Sequence, residues 1–269
     1  MASTFILEAE LFTVVLFALI GFVVRTVDGK GFLACILVGV SIMCGGGLSW
    51  FVVVAAFFAL GVAVTFYKYG YKRDLGVAQE KGGTRSWPSM LANGGVASIV
   101  ALLNLLKANF AFSLFFLGSI STAAADTVAT ELGLLSRREP RLITNPTVKV
   151  MAGTSGGITS LGVMGSFFAA IVIGTMALLL GIGSVQPPTL VACVVGGLAG
   201  ALFDSLLGAT VQRKGYCSIC MKPTEALNHC GEWSHHTGGS KLIENNLVNL
   251  IATGVGAAAA FTVYLIFTA

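Results

Sequence analysis

The sequence predicts an all-α polytopic membrane bundle of about eight transmembrane helices, with both termini on the non-cytosolic side. Three observations carry this. Only 10% of the 269 residues are charged and 55% are hydrophobic, whereas soluble domains carry about 25% charged residues. Apolar runs close to the ~20 residues that span a bilayer recur along the chain, and mean hydropathy is +0.87. The basic residues fall in alternate connections, as the positive-inside rule requires. The same figures exclude disorder, collagen, a coiled coil and a disulfide-rich secreted scaffold. The net charge of +4 gives no argument for nucleic acid as a partner; the lipid bilayer is the partner the composition calls for.

The runs lie near 5–25, 31–46, 48–66, 88–106, 109–133, 158–183, 188–212 and 247–268. Glu8 and Glu10 make the first the least regular, and no basic stretch precedes it, which argues against a cleaved signal peptide. Gly45-Gly46-Gly47 divides 31–66 into two spans. With that division, every Lys and Arg except Lys107 falls on one face. That face therefore reads as cytosolic. Tyr67, Tyr69, Tyr71 and Trp87 fit an interfacial aromatic belt. The 34 glycines fit close helix packing in lipid. No internal repeat or linker divides the chain, so residues 1–269 read as a single transmembrane domain. Its cytosolic-side loops lie near 67–87, 134–157 and 213–244.

Three acids sit inside otherwise apolar runs: Asp126, Glu131 and Asp204. Charge in hydrocarbon costs several kcal/mol, so such residues face cavities and carry function. Helical spacing stacks Thr122, Asp126 and Thr130 in one row and Thr127 and Glu131 in the next. With the orientation above, all three acids lie near the basic boundary, together with Asn93, Asn245, Asn246 and Asn249. A transport pathway needs polar residues through the whole depth, and spans two, three and six are almost wholly apolar. Clustering on one side favours chemistry at the interface.

Gly153-Thr154-Ser155-Gly156-Gly157 stands just before span six, after Arg137, Arg138, Arg141 and Lys149. Successive amides at a Gly-rich helix start bind anions. No Gly-Lys-Ser/Thr follows, so this is not a Walker A loop. Carboxylates can hold Mg²⁺ while Arg and Lys hold phosphates. The reading assigns Asp126, Glu131 and Asp204 to the catalytic, Mg²⁺-binding side. Arg85, Arg141 and Lys149 are read as phosphate clamps, Gly153, Thr154, Ser155, Gly156 and Gly157 as an anion cradle, and Asn93 and Asn246 as orienting groups. Cys217-x-x-Cys220 followed by His229-Cys230 supplies enough N/S ligands for a structural Zn²⁺. Unliganded thiols are the competing reading of that loop.

Several blocks resemble a known family. They are Asn93-Gly94-Gly95, Ala125-Asp126-Thr127-Val128-Ala129-Thr130-Glu131-Leu132-Gly133, Pro140-Arg141-Leu142-Ile143-Thr144, Gly153–Gly157 and Phe203-Asp204-Ser205-Leu206-Leu207-Gly208-Ala209-Thr210. With Cys217-x-x-Cys220, Thr224-Glu225 and His229-Cys230, they are similar to the membrane family that includes plant and cyanobacterial phytyl-phosphate kinase. The match runs from about residue 80 to the end. Val150-Met151-Ala152 departs from it where a proline is expected, and Asn246 stands where an acid is expected.

The resemblance implies an Mg²⁺-dependent lipid phosphate kinase in isoprenoid (tocopherol) metabolism. Its partners would be a nucleoside triphosphate, typically CTP, and an isoprenyl monophosphate such as phytyl or geranylgeranyl phosphate. A CDP-lipid-forming nucleotidyltransferase and an ion-coupled membrane transporter are the alternatives.

Overall fold

Inside hydrocarbon a backbone must satisfy its own hydrogen bonds, so the apolar runs become helices. The structure, a computed structural model, describes residues 2–79, 81–183, 187–225 and 227–268. Its long helices are α1 (Ala2–Val23), α2 (Gly29–Phe66), α4 (Trp87–Leu106), α5 (Phe110–Gly133), α6 (Ser160–Leu179), α7 (Pro187–Thr210) and α8 (Asn245–Thr268), with a short α3 (Tyr69–Asp74). Among the described residues, six helices, α2 and α4 to α8, are long and apolar enough to cross a membrane. Side-chain caps start three of them. Asp28 accepts from Gly31 N, Asn109 from Ala111 N and Thr159 from Gly162 N, each satisfying an otherwise orphaned amide.

α2 has 38 residues, which would reach about 57 Å if straight, far beyond a bilayer core of about 30 Å. It does not run straight. Gly47 adopts φ 68°, ψ −169°, a conformation essentially reserved for glycine, and the chain doubles back there. A Cβ at Gly39 would lie 3.3 Å from the Phe51 ring, and Cys35 and Phe58 line one cavity. The first half runs alongside α4, with Val38 against Gly94 and Gly45 against the Ala101 carbonyl. The second half runs alongside α5: Trp50 stacks on Phe116 at 4.1 Å, Gly61 meets Thr127, and Thr65 bonds Glu131. The glycine triplet is thus both turn and contact surface, since a side chain at Gly45 would collide with Ala101.

α5 is the central helix. Glycines let its neighbours approach: Gly118 meets α8 at Gly256, Gly197 meets Ser121, and Gly162 meets Ala129. Ser121 and Thr122 on α5 donate to the Cys193 and Gly196 carbonyls of α7, and Ser166 of α6 donates to the Ala125 carbonyl. In lipid these small-residue contacts and interhelical hydrogen bonds replace a hydrophobic driving force.

The connections at one end carry short strands that the sequence reading did not foresee. β1 (Arg141–Leu142), β2 (Asn145–Lys149) and β3 (Gly157–Ile158) form a sheet in the order β2-β1-β3. β4 (Lys214–Cys217), β5 (Lys222–Thr224) and β8 (His235–Gly238) form a second, ordered β5-β4-β8, and β6 (Asn228–His229) pairs with β7 (Glu232–Trp233). Strands of two to five residues carry too little alternation to be read from sequence. The turn before α2 joins the same face, because Arg85 N donates to the Thr26 carbonyl at 2.8 Å.

Gly47→Ala should lower stability by about 1–3 kcal/mol through backbone strain. Gly254→Ala, with open space around its α-carbon, should leave the detergent-solubilised Tm unchanged. Equal melting temperatures for the two variants would contradict the turn.

Candidate active site at the loop end of the bundle

The two polar rows of α5 face different neighbours. The Thr122 row turns toward α7 and α8, where Gly200 and Gly256 leave room only for the threonine side chain. One turn further on, Asp126 is half-buried and has no hydrogen bond or ion pair among the described residues. It lies close enough to Asp204 of α7 for their charges to interact, and Asp204 also feels Glu225. The Asn249 amide of α8, oriented as a donor, reaches Asp204 Oδ2 at 2.9 Å. Electrostatic reach thus links three carboxylates from three chain segments.

Glu225 was not among the expected site residues, although the Thr224-Glu225 pair belongs to the blocks that carry the resemblance. Ser155 donates to Oε1, Gln212 Nε2 to Oε2 at 2.7 Å, and Arg213 Nη1 to its main-chain oxygen at 2.9 Å. Burial pushes its carboxyl above the ordinary range, against the pull of Ser155, Lys214 and Gln212. Ser155 belongs to the Gly-rich turn, which thereby seats on the end of α7. Gly153 and Gly156 have φ of 82° and 76°, and a Cβ at Gly156 would lie 2.6 Å from the Ala209 nitrogen. Gly157 N donates to Thr154 O and Thr154 N to Met151 O. The amides of Gly153, Ser155 and Gly156 have no acceptor among the described residues.

Glu131 departs from the expected role. Its row faces α2 and α3, where Lys72 forms a buried ion pair with it and Thr65 Oγ1 donates at 3.2 Å. Lys72 and Glu131 are 0% and 1% exposed, and Lys72 also donates to the Val64 and Thr65 carbonyls. Both Glu131 oxygens are thus engaged, and the residue locks α3 against α5. The polar stripe reads as one surface in sequence but splits in space, because a helical turn of about 100° per residue sends adjacent rows to different neighbours.

Arg85 stands on the Glu131 side. Its guanidinium lies 5.8 Å from each of the Phe57 and Phe58 ring centres and beside Gly61, which also touches Thr127. Burial lowers its pKa and the Glu131 charge raises it. The guanidinium has no hydrogen-bond partner among the described residues. Arg85, Ser89 and Asn93 line the polar part of a cavity otherwise walled by Phe17, Val38, Phe51 and other apolar side chains. Asn93 donates to the Ser89 carbonyl.

Arg141 and Lys149 are register partners on β1 and β2 and are exposed. Arg141 donates to the Pro146 carbonyl, and Lys149 pairs with Glu139 at 2.7 Å, which holds the Glu139 carboxyl below its ordinary range. Neither makes an ion pair with the three clustered acids. Asn246 is half-buried at the start of α8, and it is Asn249, one turn on, that meets Asp204. The Cys217, Cys220, His229 and Cys230 ligand atoms all lie within 4.8 Å of one another.

Residues 12–257 match the family described as integral membrane protein DUF92. The chain belongs to this family. It is 32% identical over 241 residues to an uncharacterized membrane protein of Methanocaldococcus jannaschii, covering 89% of this chain and 87% of that one. Protein PGR of Arabidopsis thaliana is 29% identical over 252 residues, 85% of each chain. Protein VTE6, chloroplastic, of the same plant is 28% identical over 197 residues, 71% of this chain and 58% of that one. No solved structure matches.

In this DUF92 chain the donor chemistry at Asp126 and Asp204 fits a hard divalent cation held by one or two carboxylates and water, whereas both Glu225 oxygens are engaged by Ser155 and Gln212. An unpartnered carboxylate within electrostatic reach of a second one inside a membrane protein favours a positive charge nearby. The Glu131 pair makes a separate demand. Lys72→Met should strand the glutamate and destabilise the protein by about 3–5 kcal/mol, while the double variant Lys72→Met/Glu131→Met should recover most of that loss. Thermal unfolding in detergent measures both. A Lys72→Met protein as stable as the parent would remove the structural role.

Proposed function

We propose that this multi-pass membrane protein transfers the terminal phosphoryl group of a nucleoside triphosphate, CTP by the family resemblance, to an isoprenyl monophosphate. The convergence of Asp126, Asp204 and Glu225 beside the free amides of the Gly153–Gly157 turn carries this reading. Acids and anion donors belong together where phosphates meet a cation, and they have little use in a lipid-facing structural protein. Eight crossings, with both termini on the non-cytosolic side, would put the loop end in the cytosol or its equivalent.

The acceptor phosphate has a second pKa near 6, so at neutral pH it is largely a dianion and needs no strong general base. One of its oxygens attacks the γ-phosphorus, the bond to the bridging oxygen breaks, and the nucleoside diphosphate leaves. The obstacle is bringing two polyanions into line, so positioning and charge neutralisation dominate. Asp126 and Asp204 would hold Mg²⁺, directly or through water, with the Glu225 charge nearby, and when bound that ion neutralises charge on the phosphates. The amides of Gly153, Ser155 and Gly156 would donate to nucleotide phosphate oxygens. Arg85, flanked by Thr127 and opening onto an apolar cavity between α1, α2 and α4, suits the lipid phosphate, with the tail running between the helices. Arg141 and Lys149, exposed at the rim, serve encounter with the anionic substrates better than transition-state contact.

The test incubates purified protein with Mg²⁺, labelled CTP or ATP and phytyl or geranylgeranyl monophosphate, with chromatography of the products. Lipid diphosphate and nucleoside diphosphate are expected. A CDP-lipid with pyrophosphate would instead mean nucleotidyl transfer, and no product would remove the reading. Asp126→Asn and Asp204→Asn should each cut kcat by about 10²-fold or more. Arg85→Met should act mainly on the KM for the lipid phosphate, and a wild-type rate in either aspartate variant would exclude that acid from the site.

A further inference from the structure

The Cys/His loop brings together four further candidate ligands that are none of the carboxylates described above. Cys217 ends β4, Cys220 sits in the turn to β5, and His229 and Cys230 follow at the β6–β7 turn. Thirteen residues from Cys217 the chain returns to the same point, and all four ligand atoms fall within 4.8 Å of one another. His229 Nδ1 lies 3.6 Å from Cys220 Sγ and 3.3 Å from Cys230 Sγ. A tetrahedral zinc with Zn–S near 2.3 Å and Zn–N near 2.0 Å requires N···S edges of about 3.6 Å and S···S edges of about 3.8 Å. The three thiols are free rather than bridged. Soft thiolates with one imidazole select zinc over the hard Mg²⁺ of a phosphate site.

We propose that Cys217, Cys220, His229 and Cys230 bind one structural Zn²⁺ that closes the 218–229 segment into a clasp holding Glu225 against the end of α7. Glu225 lies inside the closed segment, midway between the two ligand pairs. Its carboxylate meets Ser155 and Gln212, and its main-chain oxygen meets Arg213. β5 is three residues long and β6 only two, too short to fix that geometry alone. Four protein ligands fill the tetrahedron and leave no open coordination position, so the ion is structural rather than catalytic. The site stands on its own geometry, whether or not phosphoryl transfer is the reaction at those carboxylates.

The test measures metal in protein purified without chelator, by inductively coupled plasma mass spectrometry. One zinc per chain is expected, falling below about one tenth in Cys220→Ser and in Cys230→Ser. Cys44→Ser, which changes an exposed thiol in α2, should keep the full complement. If the serine variants fail to fold, cobalt substitution of the parent protein decides, since thiolate-to-metal charge transfer in the near ultraviolet and strong tetrahedral bands in the visible are then expected. Chelation should also speed proteolytic cleavage within 218–229 by at least about tenfold. Metal-free parent protein after zinc-supplemented growth, an iron cluster in place of zinc, full zinc in either serine variant, or cobalt bands without thiolate character would each overturn the site.

Discussion

Two aspartates brought within electrostatic reach near the end of a lipid-embedded bundle repel each other, and little water is present to screen them. Something positive must answer them, either protons or a bound cation. Asp126 on α5 and Asp204 on α7 are in this position, with Glu225 of the following loop as a third acid and Asn249 as the nearest donor. The cost is accepted at the end of the bundle that carries the basic connections, and the Gly-rich turn with open amides sits directly against it. Ionisable groups placed this way inside membranes are costly.

The rest of the fold can be understood as what holds that pair in place. α5 carries small residues along the faces that meet α6, α7 and α8. Ser121 and Thr122 bond across to α7 carbonyls one turn before Asp126, which fixes the rotation of α5 and so the direction of its acid. On the other side, Lys72 and Glu131 pin α3 to the same helix end. A buried ion pair of this kind contributes little net stability, but losing either partner is costly, which makes it a positional lock. The Gly47 reversal supplies the second half of α2, the wall that presents Thr65 to Glu131 and Phe57 and Phe58 to Arg85.

Much of this was legible in the sequence. Apolar run lengths gave the helices, the glycine triplet marked the reversal, and the acids of α5 and α7 stood out as polar groups within apolar runs. The helical rows on α5 were legible too, but which neighbour each row meets depends on how helices distant in sequence pack. That is why Glu131 reads as a companion of Asp126 yet belongs with Lys72. Lys72 itself looked like one cation among many in a basic loop, and only burial distinguishes it. Arg141 and Lys149 look like phosphate ligands by charge, whereas the β1–β2 pairing turns them to the surface. Glu225 was visible only as part of a motif, because its placement depends on a loop whose strands are too short to announce themselves.

Divalent-cation binding tests the central pairing most directly. Titrating Mn²⁺ into purified protein in nanodiscs, followed by electron paramagnetic resonance, should reveal one site per chain that Mg²⁺ displaces. Affinity should fall at least about tenfold in both Asp126→Asn and Asp204→Asn. Unchanged binding in either variant, or no Mn²⁺ site at all, would contradict the account.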